Sequence, residues 1–183
     1  MHRLLALFIF IPLLYGCVGN PIKDRDNDTV SLVVALVNMD AVNARCNTAQ
    51  LKNIDNESDS KTLWYMYRAN HENQCILYSK AVEPGRYTIE SFATFAMTGA
   101  SSSTATNFML PNKGIPYGIH KIKKQDVYFL GSYKFVRTKT GAISVVKSKD
   151  PGEKQVLSEM LQHRLMQDGE WKEIVKHKLK RIR

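Results

Sequence analysis

Cysteine and histidine are the residues here whose chemistry could go beyond packing. The 183 residues hold three cysteines, Cys17, Cys46 and Cys75, and four histidines lie beyond the N-terminal region: His71, His120, His163 and His177. A zinc site draws such ligands from closely spaced pairs. Neither Cys46 nor Cys75 has a second Cys at that spacing. No His-Glu-x-x-His, Gly-x-Ser-x-Gly or P-loop lysine occurs. His71 sits beside Glu72 in a polar turn and reads as solvated, and His120, between Ile119 and Lys121, reads as exposed. The expectation is a non-enzymatic protein with no metal and no cofactor. The alternative is a hydrolase that assembles a Ser or Cys near His71, His120 or His163 from distant positions.

The first cysteine closes an apolar N-terminus. His2 and Arg3 precede the run LLALFIFIPLL at Leu4 to Leu14, followed by Tyr15, Gly16 and Cys17. A helix of that length spans about 16 Å, short of a hydrocarbon core of ~30 Å. A basic start, a short apolar run and a small residue make a signal peptide. Leu14, Gly16 and Cys17 resemble the lipobox of bacterial lipoproteins, with Leu three places before the Cys and a small residue directly before it. Tyr15 is bulkier than the family's usual middle residue. The resemblance implies cleavage between Gly16 and Cys17, a diacylglyceryl thioether on Cys17 and an acylated amine. Two or three acyl chains hold stably where one does not. Val18 in place of Asp implies, by the same resemblance, the outer membrane, with the domain facing the periplasm.

Export brings the chain to an oxidising compartment, where Cys46 and Cys75 read as a disulfide. A closed loop of about 30 residues would stabilise by roughly 3.5 kcal/mol. Two separate buried thiols are the alternative. Residues 18–29 are polar and read as a tether between lipid and domain, reaching ~40 Å when extended.

Elements must then position whatever this anchor carries. Val30 to Val37 is almost wholly apolar and suits a strand covered on both faces. Asn38 to Lys61 reads as a long loop with one helical turn near Thr48 to Lys52. Leu63 to Arg68 and Gln74 to Ser79 read as a hairpin. Pro84 and Gly85 suit a type II turn, leading into an alternating strand from Arg86 to Phe95. Thr98 to Asn107 and Pro111 to Gly118 read as loop. Asp126 to Arg137 is the clearest strand, with Val127, Phe129, Tyr133 and Phe135 on one face, and it returns through Thr138 to Gly141. Asp150, Pro151 and Glu153 form a helix start. Val156, Leu157, Met160, Leu161 and Leu165 stripe one helix, and Trp171, Ile174, Val175, Leu179 and Ile182 a second. The fold class expected is mainly β. The expected form is an immunoglobulin-like or transthyretin-like antiparallel β-sandwich with a C-terminal pair of α-helices. The organisation is signal peptide 1–16, lipidated N-terminus and tether 17–29, sandwich 30–148 and helical extension 149–183. The phrases VEPGRYTIESF and IKKQDVYFLGSYKF resemble segments of small, uncharacterised envelope lipoproteins of that sandwich type.

Charge is uneven along the chain. The net charge is +9, and Lys113 to Lys149 holds nine bases against Asp126 alone. Lys172 to Arg183 holds six bases against Glu173. Lys121, Lys123 and Lys124, with Trp171, Lys172, Lys176, Lys178, Lys180, Arg181 and Arg183, are the candidate contact residues. The envelope compartment argues against nucleic acid. The expected partners are membrane lipid, through acylated Cys17, and an envelope protein. A small-ligand binder or inhibitor working through residues 98–118 is a further alternative.

Overall fold

The structure is a computed structural model that describes residues 21–42, 44–68, 71–97 and 103–182. The signal segment, Gly16, Cys17 and Arg183 lie outside these residues, as does the Thr98–Ser102 part of the proposed ligand loop.

Among the described residues, nine strands form one sheet: β1 Ser31–Asn38, β2 Arg45–Asn53, β3 Ser60–Arg68, β4 His71–Val82, β5 Gly85–Met97, β6 Ser103–Met109, β7 His120–Ile122, β8 Val127–Arg137 and β9 Ile143–Ser148. Their order is β6-β5-β2-β3-β4-β1-β8-β9, with β7 also paired to β5. Only β1 with β8 is parallel among these pairings. Two helices follow, α1 Glu153–Gln162 and α2 Glu170–Arg181. The expected mainly-β chain with two C-terminal helices is present.

The sheet is a curled half-barrel. Phe108 on β6 and Phe135 on β8 belong to opposite ends of the strand order, yet their ring centroids are 4.9 Å apart and edge-on. Phe92 on β5 closes the same cluster, 5.8 Å from Phe135. The facing walls therefore come from one sheet bent on itself, whereas an immunoglobulin-like or transthyretin-like sandwich stacks two sheets. The curl encloses Val33, Ala35, Val37, Leu51, Leu77 and Tyr87. The outer face of β1, with Leu32, Val34 and Leu36, packs against Val156, Leu157 and Met160 of α1 and Trp171 and Val175 of α2. Both faces of β1 are thus buried, which is why its sequence does not alternate.

Cys46 and Cys75 are disulfide-bonded, with Cα atoms 6.2 Å apart. They sit on β2 and β4, which flank β3. Cys46 lies beyond the last β2–β3 pair, Thr48 with Trp64, so β2 is free there to bend over toward β4. The bridge staples the curl from inside.

Several segments differ from the sequence reading. Residues 45–53 form strand β2, not loop with a helical turn. Its buried positions are Cys46, Ala49, Leu51 and Asn53, and polar residues between them hide the pattern. Residues 103–109 are strand β6, paired residue by residue with β5 from Met97–Ser103 to Ser91–Met109. Gly85 opens β5 without the positive φ that a type II turn demands. Its missing side chain matters because a Cβ would lie 2.9 Å from the Tyr87 ring. On β8, Val127 and Phe129 face the helices while Tyr133 and Phe135 face the enclosed core. The register to β1 shifts between Val34–Phe129 and Leu36–Ser132, and Gly131 has φ +119°. That bulge swaps the faces. Helix α1 begins at Glu153 with Gly152 as N-cap, not Asp150. The backbone ahead of it is tied down instead: Ser132 Oγ donates to the Pro151 carbonyl at 2.5 Å, and Ser148 Oγ to that of Asp150 at 2.6 Å.

Candidate contact surface

Asp126 and Tyr128 bring the two basic segments together. Strand β7 carries Lys121, and the turn between β7 and β8 carries Lys123 and Lys124. Within it, Ser31 Oγ donates to the Lys123 carbonyl at 2.6 Å. The Gln125 amide side chain donates to the Asp28 carbonyl at 2.9 Å, and the Gln125 N–H to that of Val30 at 3.3 Å. Gln125 is held at φ +55°, a left-handed conformation that surrounding bonds must support. The Lys123 N–H donates to the Tyr128 hydroxyl at 3.0 Å.

Helix α2 arrives at the same place. Arg181 donates to Asp126 at 3.4 Å. Lys178 lies 3.9 Å from Asp126 and 3.7 Å from Glu153 of α1. Its ammonium is 5.8 Å from the Tyr128 ring centre, within cation–π range. Tyr128 thus holds Lys123 by its hydroxyl and Lys178 by its face. A groove of about 460 Å³ runs between Gln125–Asp126 and the α2 residues Glu173, Lys176, His177, Lys180 and Arg181. A second, of about 520 Å³, is lined by Asp55, Arg86, Lys121, Ile122, Lys123 and Lys124.

The candidates divide by environment. Lys121, Lys123, Lys124 and Lys180 are exposed and make no ion pair among the described residues. Lys176 pairs with Glu173 at 2.7 Å, and Lys172 with Asp168 at 2.8 Å. Lys172 holds the Asp168 carboxyl below the usual range. Trp171 cannot be a surface contact, because it is fully buried under α2 against the β1 side of the sheet.

The other end of α2 is joined to the segment read as a tether. Ile22 is fully buried. Its N–H donates to the Leu165 carbonyl at 2.7 Å, and its carbonyl accepts from Gln167 at 3.0 Å. The Lys23 carbonyl accepts from the Trp171 N–H at 3.0 Å. Arg25 meets Glu170 through Nε at 3.2 Å and through its backbone N–H at 3.1 Å. Residues 22–25 are docked, so the segment read as a tether is bound to the domain from Ile22 onward. Sequence reasoning missed Ile22, whose lone apolar side chain in a polar run was the available signal.

His120 is half-buried rather than exposed. Its Nε2 is buried without a hydrogen-bond partner. Burial, and after it the Lys147 ammonium, push its pKa down to about 4. The Cβ that Gly118 lacks would lie 3.0 Å from Lys147 Nζ and 3.4 Å from His120 Nε2. His163 Nδ1 accepts the Leu165 N–H at 3.2 Å. No group of three His, Cys, Asp or Glu among the described residues could hold a metal, and no described helix is long and apolar enough to cross a membrane.

No protein-family model matches the chain, and no curated protein matches it. Among solved structures, a leucine-rich repeat protein from Bacteroides thetaiotaomicron VPI-5482 is similar over 58% of this chain and 14% of its own, at 9% identity and a TM-score of 0.41. This chain therefore matches a small part of that protein's length, and a likeness that low says nothing about function.

Proposed function

We propose that the protein is a lipid-anchored module of the bacterial envelope, non-enzymatic, held at the outer membrane through Cys17. It binds an anionic partner at the basic end where the Lys121–Lys124 segment meets the last turns of α2. The observation that carries this reading is the joining of those segments around Asp126 and Tyr128. Cations distant in sequence become one surface, with several of them unpaired. Such a surface steers and holds anionic groups.

The test is the triple variant Lys123→Glu, Lys124→Glu, Lys180→Glu, at three lysines that make no ion pair among the described residues. Crosslinking in intact cells should lose the adducts of the native protein while the thermal midpoint stays put. An adduct pattern identical to the native one would remove the basic end from the function.

A small-ligand reading rests on the unpartnered His120 Nε2 beside Lys147 and Gly118. Inorganic phosphate titrated against the His120 ring resonances checks it, and unmoved resonances would end it.

A further inference from the structure

We infer that the anionic partner is the phosphate surface of the membrane that carries the anchor, so the domain lies flush on its own leaflet instead of standing clear of it. This rests on the lipid-anchor reading above.

Chain length sets the first constraint. From Cys17 to the docked Ile22 the backbone spans at most about 18 Å when fully extended. Ile22 cannot swing away, because it is buried and hydrogen-bonded on both sides to residues 165–167. Helix α2 starts where Lys23 accepts the Trp171 N–H and is itself only about 18 Å long. The basic C-terminal end of α2 therefore lies at most about 36 Å from Cys17, and it meets the headgroups when α2 runs along the leaflet. A twelve-residue tether of ~40 Å, the sequence expectation, would have allowed the domain to stand off.

Charge sets the second. Glu173, Lys176, His177 and Lys180 are exposed on α2 at helical spacing. Glu173 answers Lys176, while Lys180 and the adjoining Lys121, Lys123 and Lys124 have no described counter-ion. The apolar side of α2 is already spent on Trp171 and Val175 in the core. The helix has no free apolar stripe to insert, so its contact with a leaflet is electrostatic, and it is weakened by salt. A short tether supplies a high effective concentration, which keeps weak contacts occupied. The cation of β9 differs: Lys147 lies on an edge strand, where lysine guards against edge pairing. Arg137 and Lys139 sit at the far end of β8 from the β1 start, and they serve as an internal control.

The full chain, purified after export and with its Cys17 mass checked, is reconstituted into vesicles of phosphatidylcholine alone or with phosphatidylglycerol. Lysine amines are acetylated, and the sites are read by mass spectrometry. Lys123, Lys124, Lys176 and Lys180 should react about fivefold more slowly on the anionic vesicles, with Lys139 unchanged. A Gly/Ser linker inserted between Gly19 and Asn20 should cut that protection without touching the fold. Equal labelling on both vesicles, with Cys17 acylated, overturns the inference and leaves the anchor reading standing. Protection in intact cells but not on anionic vesicles also overturns it, in favour of a protein partner. An unacylated Cys17 overturns both readings.

Discussion

The Lys178 ammonium sits 5.8 Å from the centre of the Tyr128 ring, and the hydroxyl of the same tyrosine takes the Lys123 N–H at 3.0 Å. One side chain therefore couples a helix to a turn fifty residues away in sequence. Replacing Tyr128 by Leu should destabilise the fold by about 1–2 kcal/mol and raise Lys178 amine reactivity. Tyr128→Phe keeps the ring and should recover most of the Lys178 effect. Denaturant midpoints and acetylation rates of the two variants check this.

The disulfide braces the curl from inside. Its sequence separation is 29 residues, so the Cys46→Ala, Cys75→Ala pair should lose ~3.5 kcal/mol. Urea unfolding of the native and double-variant chains measures the difference. No change would mean that the Phe92, Phe108 and Phe135 cluster holds the curl unaided.

Arg68 is buried to 5% exposure and donates two bonds of 2.7 Å to Glu159 of α1. This pair ties β3 to the helices. Glu159 is about a third exposed, so water softens the loss. Arg68→Met should cost about 2 kcal/mol, below the 3–5 kcal/mol range of fully buried pairs. Hydrogen exchange in α1 should rise more than in the β8–β9 hairpin.

Acid should weaken the fold through His120. Its pKa is pushed from 6.5 to about 4 by burial and then by Lys147. As pH falls below 6.5, the unfolded chain takes up this proton and the folded chain does not, until about 4. Stability present at neutral pH is therefore lost across that window. His163, also lowered by burial and Arg164, acts in the same direction. His120→Gln should flatten the slope of unfolding midpoint against pH, leaving the His163 share.

What could be read from the sequence followed from apolar patterning. The β3–β4 and β8–β9 hairpins and both helical stripes carry enough large apolar residues to announce themselves. Strands β2 and β6 did not, because small and polar residues occupy their exposed or half-buried positions. The face swap on β8 turned on one glycine in a bulge. The basic segments were legible as composition, but their meeting was not. It depends on Asp126, Tyr128 and Gln125, which carry no motif. The docking of Ile22 was hidden for a related reason: a single apolar residue has no period.

The lipid anchor underlies the proposed role, and the mass of the N-terminal peptide of the exported chain tests it most directly. A peptide starting at Cys17 and carrying a diacylglyceryl group, with further acylation of its amine, is the expected result. A peptide starting elsewhere, or starting at Cys17 with a free thiol, would contradict it.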